Sequence, residues 1–109
     1  MAKRKIDTTI MQCAQNYAEE VKKHYDVKEI ILFGSYAKGL QHEGSDIDIA
    51  IVTNDIRNRF DDELDLMRLR REIDVRIEPH AIRTEEFLKR ETSLINEVIN
   101  TGIKIYSAQ

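Results

Sequence analysis

The chain has 109 residues, 17 basic and 20 acidic side chains, a net charge of −3 and a hydrophobic fraction of 41%. This is enough apolar material for one packed core and too little chain for two, so a single folded domain over residues 1–109 is expected rather than a disordered chain. The near balance of charge argues against a basic face for extended nucleic acid but leaves room for a small phosphate-bearing ligand.

Cys13 is the only cysteine, so no intrachain disulfide can form. It falls among apolar helix positions and reads as a small core residue suited to a reducing compartment. The basic start, Met1-Ala2-Lys3-Arg4-Lys5, leads into no apolar run of signal-peptide length. No stretch approaches the roughly 20 apolar residues of a membrane span. A cytoplasmic protein with no membrane contact is therefore expected.

In chain order, Ile6, Ile10, Cys13, Ala14, Tyr17, Ala18 and Val21 recur at helical spacing and predict a helix from about Ile6 to Tyr25. Asp7, Thr8 or Thr9 can cap it. Glu29-Ile30-Ile31-Leu32-Phe33 reads as a buried strand that ends at Gly34. Ser35 to Lys38 reads as a short helical turn stopped by Gly39, and Leu40 to Gly44 as a polar loop. From Asp46 to Val52, isoleucines 47, 49 and 51 alternate with Asp46, Asp48 and Ala50, which predicts a strand. After a polar connection over 54–59, a helix is predicted over Phe60–Arg71, acidic at its start and basic at its end, as its macrodipole favours. Glu72 to Glu78 alternates again and predicts a strand closed by Pro79. A further helix, open to an interruption, starts near Thr84; Leu94, Ile95, Val98 and Ile99 form its late apolar face, and Gly102 caps it. Ile103 to Tyr106 fits a short edge strand. This order predicts an α/β (α+β) fold, a small mixed β-sheet with helices packed against it.

Asp46 and Asp48 lie two apart on a strand and so project from one face, while the isoleucines take the other. Two carboxylates that close repel, and a hard divalent cation with oxygen ligands compensates. A solvated polar strand face is the plain alternative, but aspartate is a poor strand former, and two in the clearest strand call for a reason. Asp74 repeats the pattern in the following predicted strand. If the two strands are neighbours, three carboxylates converge, as a two-metal phosphoryl-transfer site requires. Gly34-Ser35 ends a buried strand just upstream. Glycine permits close backbone approach, and serine adds a hydroxyl donor beside free helix N–H groups. Lys38 is a candidate phosphate contact, with an ordinary solvated lysine as the commoner outcome.

Other residues invite less. His80 follows Glu78-Pro79 and is expected in a loop at the site's rim, while His24 and His42 have no partner at metal-ligand spacing. Asp61, Asp62 and Asp65 belong to a helix start facing water. Arg68 to Arg71 reads as a charge-matched helix end rather than a basic patch.

Gly34-Ser35, then ten residues, then Asp46-Ile47-Asp48, resembles the signature of the polymerase-β-like nucleotidyltransferase superfamily. Asp74, within Ile73-Asp74-Val75-Arg76-Ile77, resembles its third carboxylate. The likeness covers about Ile30 to Glu78, and the short chain resembles the minimal nucleotidyltransferases (MNT) of bacteria and archaea. It implies a polymerase-β-like core in which Asp46, Asp48 and Asp74 are catalytic and bind two Mg²⁺ ions, Asp74 also helping to deprotonate the acceptor. Gly34, Ser35 and Lys38 would hold the nucleotide phosphates. The chain departs from many minimal members in carrying Tyr36, Lys38 and Gly39 where arginines follow the Gly-Ser pair.

The implied activity is transfer of a nucleoside monophosphate, AMP from ATP, to a hydroxyl. Minimal members resemble the antitoxin half of toxin–antitoxin pairs whose partner is a helical HEPN-type ribonuclease, which makes a tyrosine of that toxin the expected acceptor and an assembly with that partner the expected state. Two alternatives stand beside it: a small-molecule nucleotidyltransferase of the antibiotic-modifying kind, and a non-catalytic antitoxin acting by contact alone.

Overall fold

The computed structural model describes residues 7–108. Ile6, the first residue of the predicted α1 face, and the basic stretch before it lie outside these. The elements are α1 (Thr8–Lys22), β1 (Val27–Phe33), α2 (Ser35–Lys38), β2 (Ile47–Thr53), α3 (Arg59–Leu69), β3 (Ile77–Arg83), α4 (Thr84–Lys89), α5 (Ser93–Thr101) and β4 (Ile103–Ser107). The strands form a mixed sheet in the order β3-β2-β1-β4. β1 runs antiparallel to both β2 and β4, whereas β2 and β3, joined by the α3 crossover, are parallel.

Alternation along the strands sends residues to two different faces. Ile30, Leu32, Ile47, Ile49, Ile51 and Ile77 meet Ile10, Ala14, Tyr17, Val21 and Leu66 from α1 and α3. Each of those strand residues is fully enclosed, and burying one such side chain is worth about 1.5–3 kcal/mol. Asp7 caps α1, its carboxylate accepting from the Thr9 N–H at 2.8 Å. The Tyr17 hydroxyl donates to the Leu66 carbonyl at 2.7 Å, which ties α1 to α3. Cys13 sits half-buried at the margin of this core, and burial raises its thiol pKa. On the opposite face Ile31, Phe33, Ala50, Val52 and Ile82 meet Ile95 and Val98 of α5.

Two predicted boundaries are corrected. Of the segment expected to be a strand over 72–78, residues 72–76 form a turn, and β3 begins at Ile77. Ile73 and Asp74 both donate backbone N–H bonds to the Arg70 carbonyl, and the Asp74 carboxylate accepts from the Arg76 N–H at 2.8 Å. An aspartate that bonds the backbone two residues on competes with a sheet ladder, and here it wins. The apparent alternation arose because Ile73 tucks against the core from the turn while Val75 points to solvent. Pro79 does not close the strand but lies inside it. β3 is an edge strand, where a missing N–H costs nothing if it faces away from the neighbour. The interruption allowed for in the last predicted helix is present and divides it into α4 and α5: Arg90 adopts a left-handed conformation (φ 51°), and Thr92 then caps α5 by accepting from the Ile95 N–H.

Two packing details bear on the site. α3 covers the open edge of β3 with side chains: Glu63 accepts from the Ala81 N–H at 2.9 Å, Arg59 donates to the Ala81 carbonyl and Arg70 to the Ile77 carbonyl. Gly102 follows α5 with an extended backbone, so its role is close approach rather than a left-handed turn. A Cβ there would fall 2.4 Å from Ile31 Cγ2.

Candidate active site

The site lies where β1 ends and β2 and β3 begin. Asp46 is the exposed residue just before β2, and Asp48 is half-buried within it. The parallel register sets Asp48 opposite Glu78 and Ala50 opposite His80. Since β2 residues 48 and 50 and β3 residues 78 and 80 share one sheet face, Asp48, Glu78 and His80 converge. Each offers a ligand atom, and the three atoms lie within 4.8 Å of one another.

His80 is fixed from two sides. Its Nε2 lies 3.1 Å from Asp48 Oδ1, and its ring meets Phe33 edge-on with centroids 5.0 Å apart. Desolvation opposes a charge on the imidazole. The hydrogen bond to Asp48 and the charges of Asp48, Glu78 and Glu63 outweigh it and leave the pKa above its ordinary value. The Glu78 carboxyl is also held above the usual range. Loss of solvent is the main cause, followed by a hydrogen bond shared with Asp46; the charges of Asp48 and Asp46 add to the rise, and His80 opposes it. Carboxylates gathered this closely are short of positive charge.

Gly34 sits directly against this cluster. The antiparallel register pairs Phe33 with Asp48, so the next residue turns across the Asp48 side chain. A Cβ on Gly34 would fall 2.4 Å from Asp48 Oδ2, and the backbone there has φ 76°. Both facts demand glycine. Ser35 follows as the first residue of α2. Lys38, at the end of α2, pairs with Glu97 of α5 at 2.8 Å.

Asp74 stands apart from the convergent group. It lies in the turn before β3, and its carboxylate takes both Nε (3.0 Å) and Nη2 (2.7 Å) of Arg76. The Arg76 hydrogen bond holds the Asp74 pKa below the usual carboxylate range. Arg76 also donates to the Tyr36 hydroxyl at 3.2 Å, which joins this turn to α2. The sequence reading missed Glu78 as a partner of Asp48 and placed His80 in a loop. The signal was present: the alternation of Glu78, His80 and Ile82 against Ile77 and Ala81 continues straight through Pro79.

A cleft of about 440 Å³ opens beside the group, lined by Asp46, Glu63, Met67, Val75, Glu78 and His80 among others. A larger cavity of about 660 Å³ between Tyr25, Arg57, Asp62 and Arg68 gathers no such strand-borne carboxylates.

Residues 14–105 match the model of the nucleotidyltransferase domain family. The chain belongs to that family. Among curated relatives, the Methanocaldococcus jannaschii protein named "Putative protein adenylyltransferase MJ1215" is 48% identical over 42 residues, which make up 38% of this chain and 49% of that protein. The matched part of this nucleotidyltransferase-family chain thus spans about half the length of that relative. A crystal structure of "a putative nucleotidyltransferase" from Sulfolobus solfataricus superposes with a TM-score of 0.68 at 22% identity, covering 97% of this chain and 93% of that one. The structure of a tri-AMPylated Shewanella oneidensis HEPN toxin in complex with its MNT antitoxin matches with a TM-score of 0.54 at 20% identity, over 91% and 74% of the two chains. At such identities these likenesses establish the shared α/β fold. Among the described residues, no helix is long and apolar enough to cross a membrane.

Proposed function

We propose that this nucleotidyltransferase-family chain transfers AMP from ATP to a hydroxyl of a protein acceptor, and that the acceptor is a tyrosine of a HEPN-type toxin partner. The observation that carries the reading is the meeting of Asp48 and Glu78 across the β2–β3 register, with Asp46 and Gly34 at its margin. The name of the M. jannaschii relative and the AMPylated toxin in the S. oneidensis complex support the acceptor class.

The donor set suits a hard divalent cation. Carboxylate oxygens dominate it, and Asp48 and Glu78 each bring a ligand atom within 4.8 Å of the other. Asp46, Asp48 and Glu78 would hold Mg²⁺, two ions in the full reading. Bound there, the metal supplies charge stabilisation for the triphosphate and a more acidic acceptor hydroxyl. We assign the third-carboxylate role to Glu78 rather than to Asp74, because Asp74 is occupied by Arg76.

The protein's own groups then divide the work. The Gly34 backbone, free of any Cβ, lets the triphosphate approach Asp48 closely, and the Ser35 hydroxyl donates to it. Lys38 reaches the phosphates only by leaving Glu97. The acceptor oxygen attacks the α-phosphorus; a new O–P bond forms as the bond to pyrophosphate breaks. The hydroxyl proton passes to a carboxylate, and we assign that role to Glu78, which stands across the β2–β3 register from Asp48. His80 holds one oxygen of the Asp48 carboxylate in place.

Incubation with α-labelled ATP, Mg²⁺ and the product of the adjacent gene tests the reading. Label is expected on a tyrosine of that product, lost with chelator. An unlabelled partner, in the presence of protein that binds Mg²⁺ and ATP, would overturn the tyrosine assignment.

A further inference from the structure

α3 is apolar on two sides. Leu66 is buried and Leu69 packs against the core. Phe60, Leu64 and Met67, at i, i+4 and i+7, form a second stripe on the outward face. Their exposures are 71%, 39% and 37%. Val75, 69% exposed in the turn after α3, extends the same stripe. Most exposed apolar residues occur singly and need no account, whereas a contiguous row on one helix does.

The row is joined to the candidate active site. Met67 and Val75 line the cleft that holds Asp46, Glu78 and His80, and also line the neighbouring groove with Leu64, Arg68 and Arg71. The side-chain bonds from Arg59, Glu63 and Arg70 to the edge of β3 fix the rotation of α3 that aims the stripe outward. Charge distinguishes its ends. Arg71 stands one turn beyond Met67 and has no acidic partner among the described residues, and Arg68 pairs only with Asp65 of its own helix.

We propose that the outward face of α3 is the docking surface for the polypeptide acceptor. The occupant is an amphipathic helical segment that lays its apolar face along Phe60, Leu64, Met67 and Val75 and sets an acidic side chain against Arg71. An acceptor held there presents a hydroxyl to the carboxylate cleft at the end of the same stripe. This rests on the transfer reading above. It goes beyond that reading in naming where, and by what chemistry, the acceptor is recognised.

The test uses a synthetic amphipathic peptide of about 18 residues. It carries leucines at helical spacing, glutamates at one end and a single tyrosine, and it is titrated into the labelled full chain by NMR with ATP and Mg²⁺ present. Shifts concentrated on α3 and Val75 are expected, with AMP appearing on the peptide tyrosine. Phe60→Glu and Leu64→Glu, surface changes that lie outside the lining of the carboxylate cleft, should each weaken peptide binding by about tenfold or more. Mg²⁺–ATP binding should stay at the wild-type level, so a failure of docking can be told from a failure of the catalytic reading. Arg71→Glu should weaken the glutamate peptide and recover binding to a peptide with lysines in those places. Shifts elsewhere, no peptide binding, or variants that bind as the wild type does would overturn the proposal. So would a concentration-dependent dimer that Leu64→Glu dissolves while the peptide fails to bind, since the stripe would then belong to a second copy.

Discussion

The two faces of the sheet are made from alternate residues of the same strands, yet they differ in kind. The face under α1 and α3 is apolar over most of its length, with Ile47, Ile49, Ile51 and Ile77 fully enclosed. The face under α5 is apolar only over Ile31, Phe33, Ala50, Val52 and Ile82. At the starts of β2 and β3 it gives way to Asp48, Glu78 and His80. A period-2 backbone thus lets one strand serve stability on one side and chemistry on the other. Substitutions on the two faces should separate those properties.

The largest effect is expected from Asp48→Asn. On the proposed reading Asp48 holds the metal, and losing its carboxylate forfeits several kcal/mol of transition-state stabilisation, on the order of a thousandfold in transfer rate. The melting temperature should stay at or above the wild-type value. A parallel loss of stability and rate would break the division between faces. Leu66→Ala, on the opposite side, should cost about 2–5 kcal/mol in chemical denaturation while the rate per folded molecule holds. Gly34→Ala should affect both properties, because it strains a positive-φ backbone by about 1–2 kcal/mol and drives a methyl group into the Asp48 carboxylate. It should therefore lose metal affinity in calorimetry as well as stability.

A pair of smaller effects sharpens the assignment of the third carboxylate. Asp74→Asn removes a turn anchor, at about 1 kcal/mol, and should leave the transfer rate within a few-fold of wild type. Glu78→Gln should abolish most transfer yet stabilise the metal-free protein by about 0.2–1 kcal/mol at neutral pH, since it relieves like charges set directly opposite. The sign follows from the raised Glu78 pKa. The folded state holds this proton more tightly than the unfolded one, so the group's destabilising contribution is full above the raised value and vanishes as pH falls to the ordinary carboxylate range. The stability gap between Glu78→Gln and wild type in chelator should close over that interval. A gap that widens on acidification would refute the electrostatic account.

Much of the scaffold was readable from residue patterns, because β2 and the apolar face of α1 are periodic over their whole length and no competing local bond disturbs them. Asp46, Asp48 and the Gly-Ser bend were identifiable for the same reason: they sit on or beside the strands with the clearest alternation. The segment 72–83 was not. Its first half imitates a strand through Ile73 and Val75, while a side-chain bond from Asp74 to the backbone makes it a turn. Its second half contains a proline that only an edge strand tolerates, and edge position is a property of the assembled sheet. Glu78 and His80 became visible as partners of Asp48 only once the parallel register aligned them. The exposed row on α3 was hidden by its neighbours, since alternating apolar and charged residues there point to both sides of the helix.

That parallel pairing acts as a ruler for the carboxylates. Because the ladder between β2 and β3, rather than any flexible side chain, sets the distance from Asp48 to Glu78, a residue inserted within either strand would swing one of them to the wrong surface of the sheet. The turns at either end of the α3 crossover are free of that constraint, and a relative could lengthen them or recompose the outer side of the helix without moving Asp48 or Glu78. Variation in what such a protein recognises can therefore accumulate in the crossover, while the spacing of its reactive atoms stays locked.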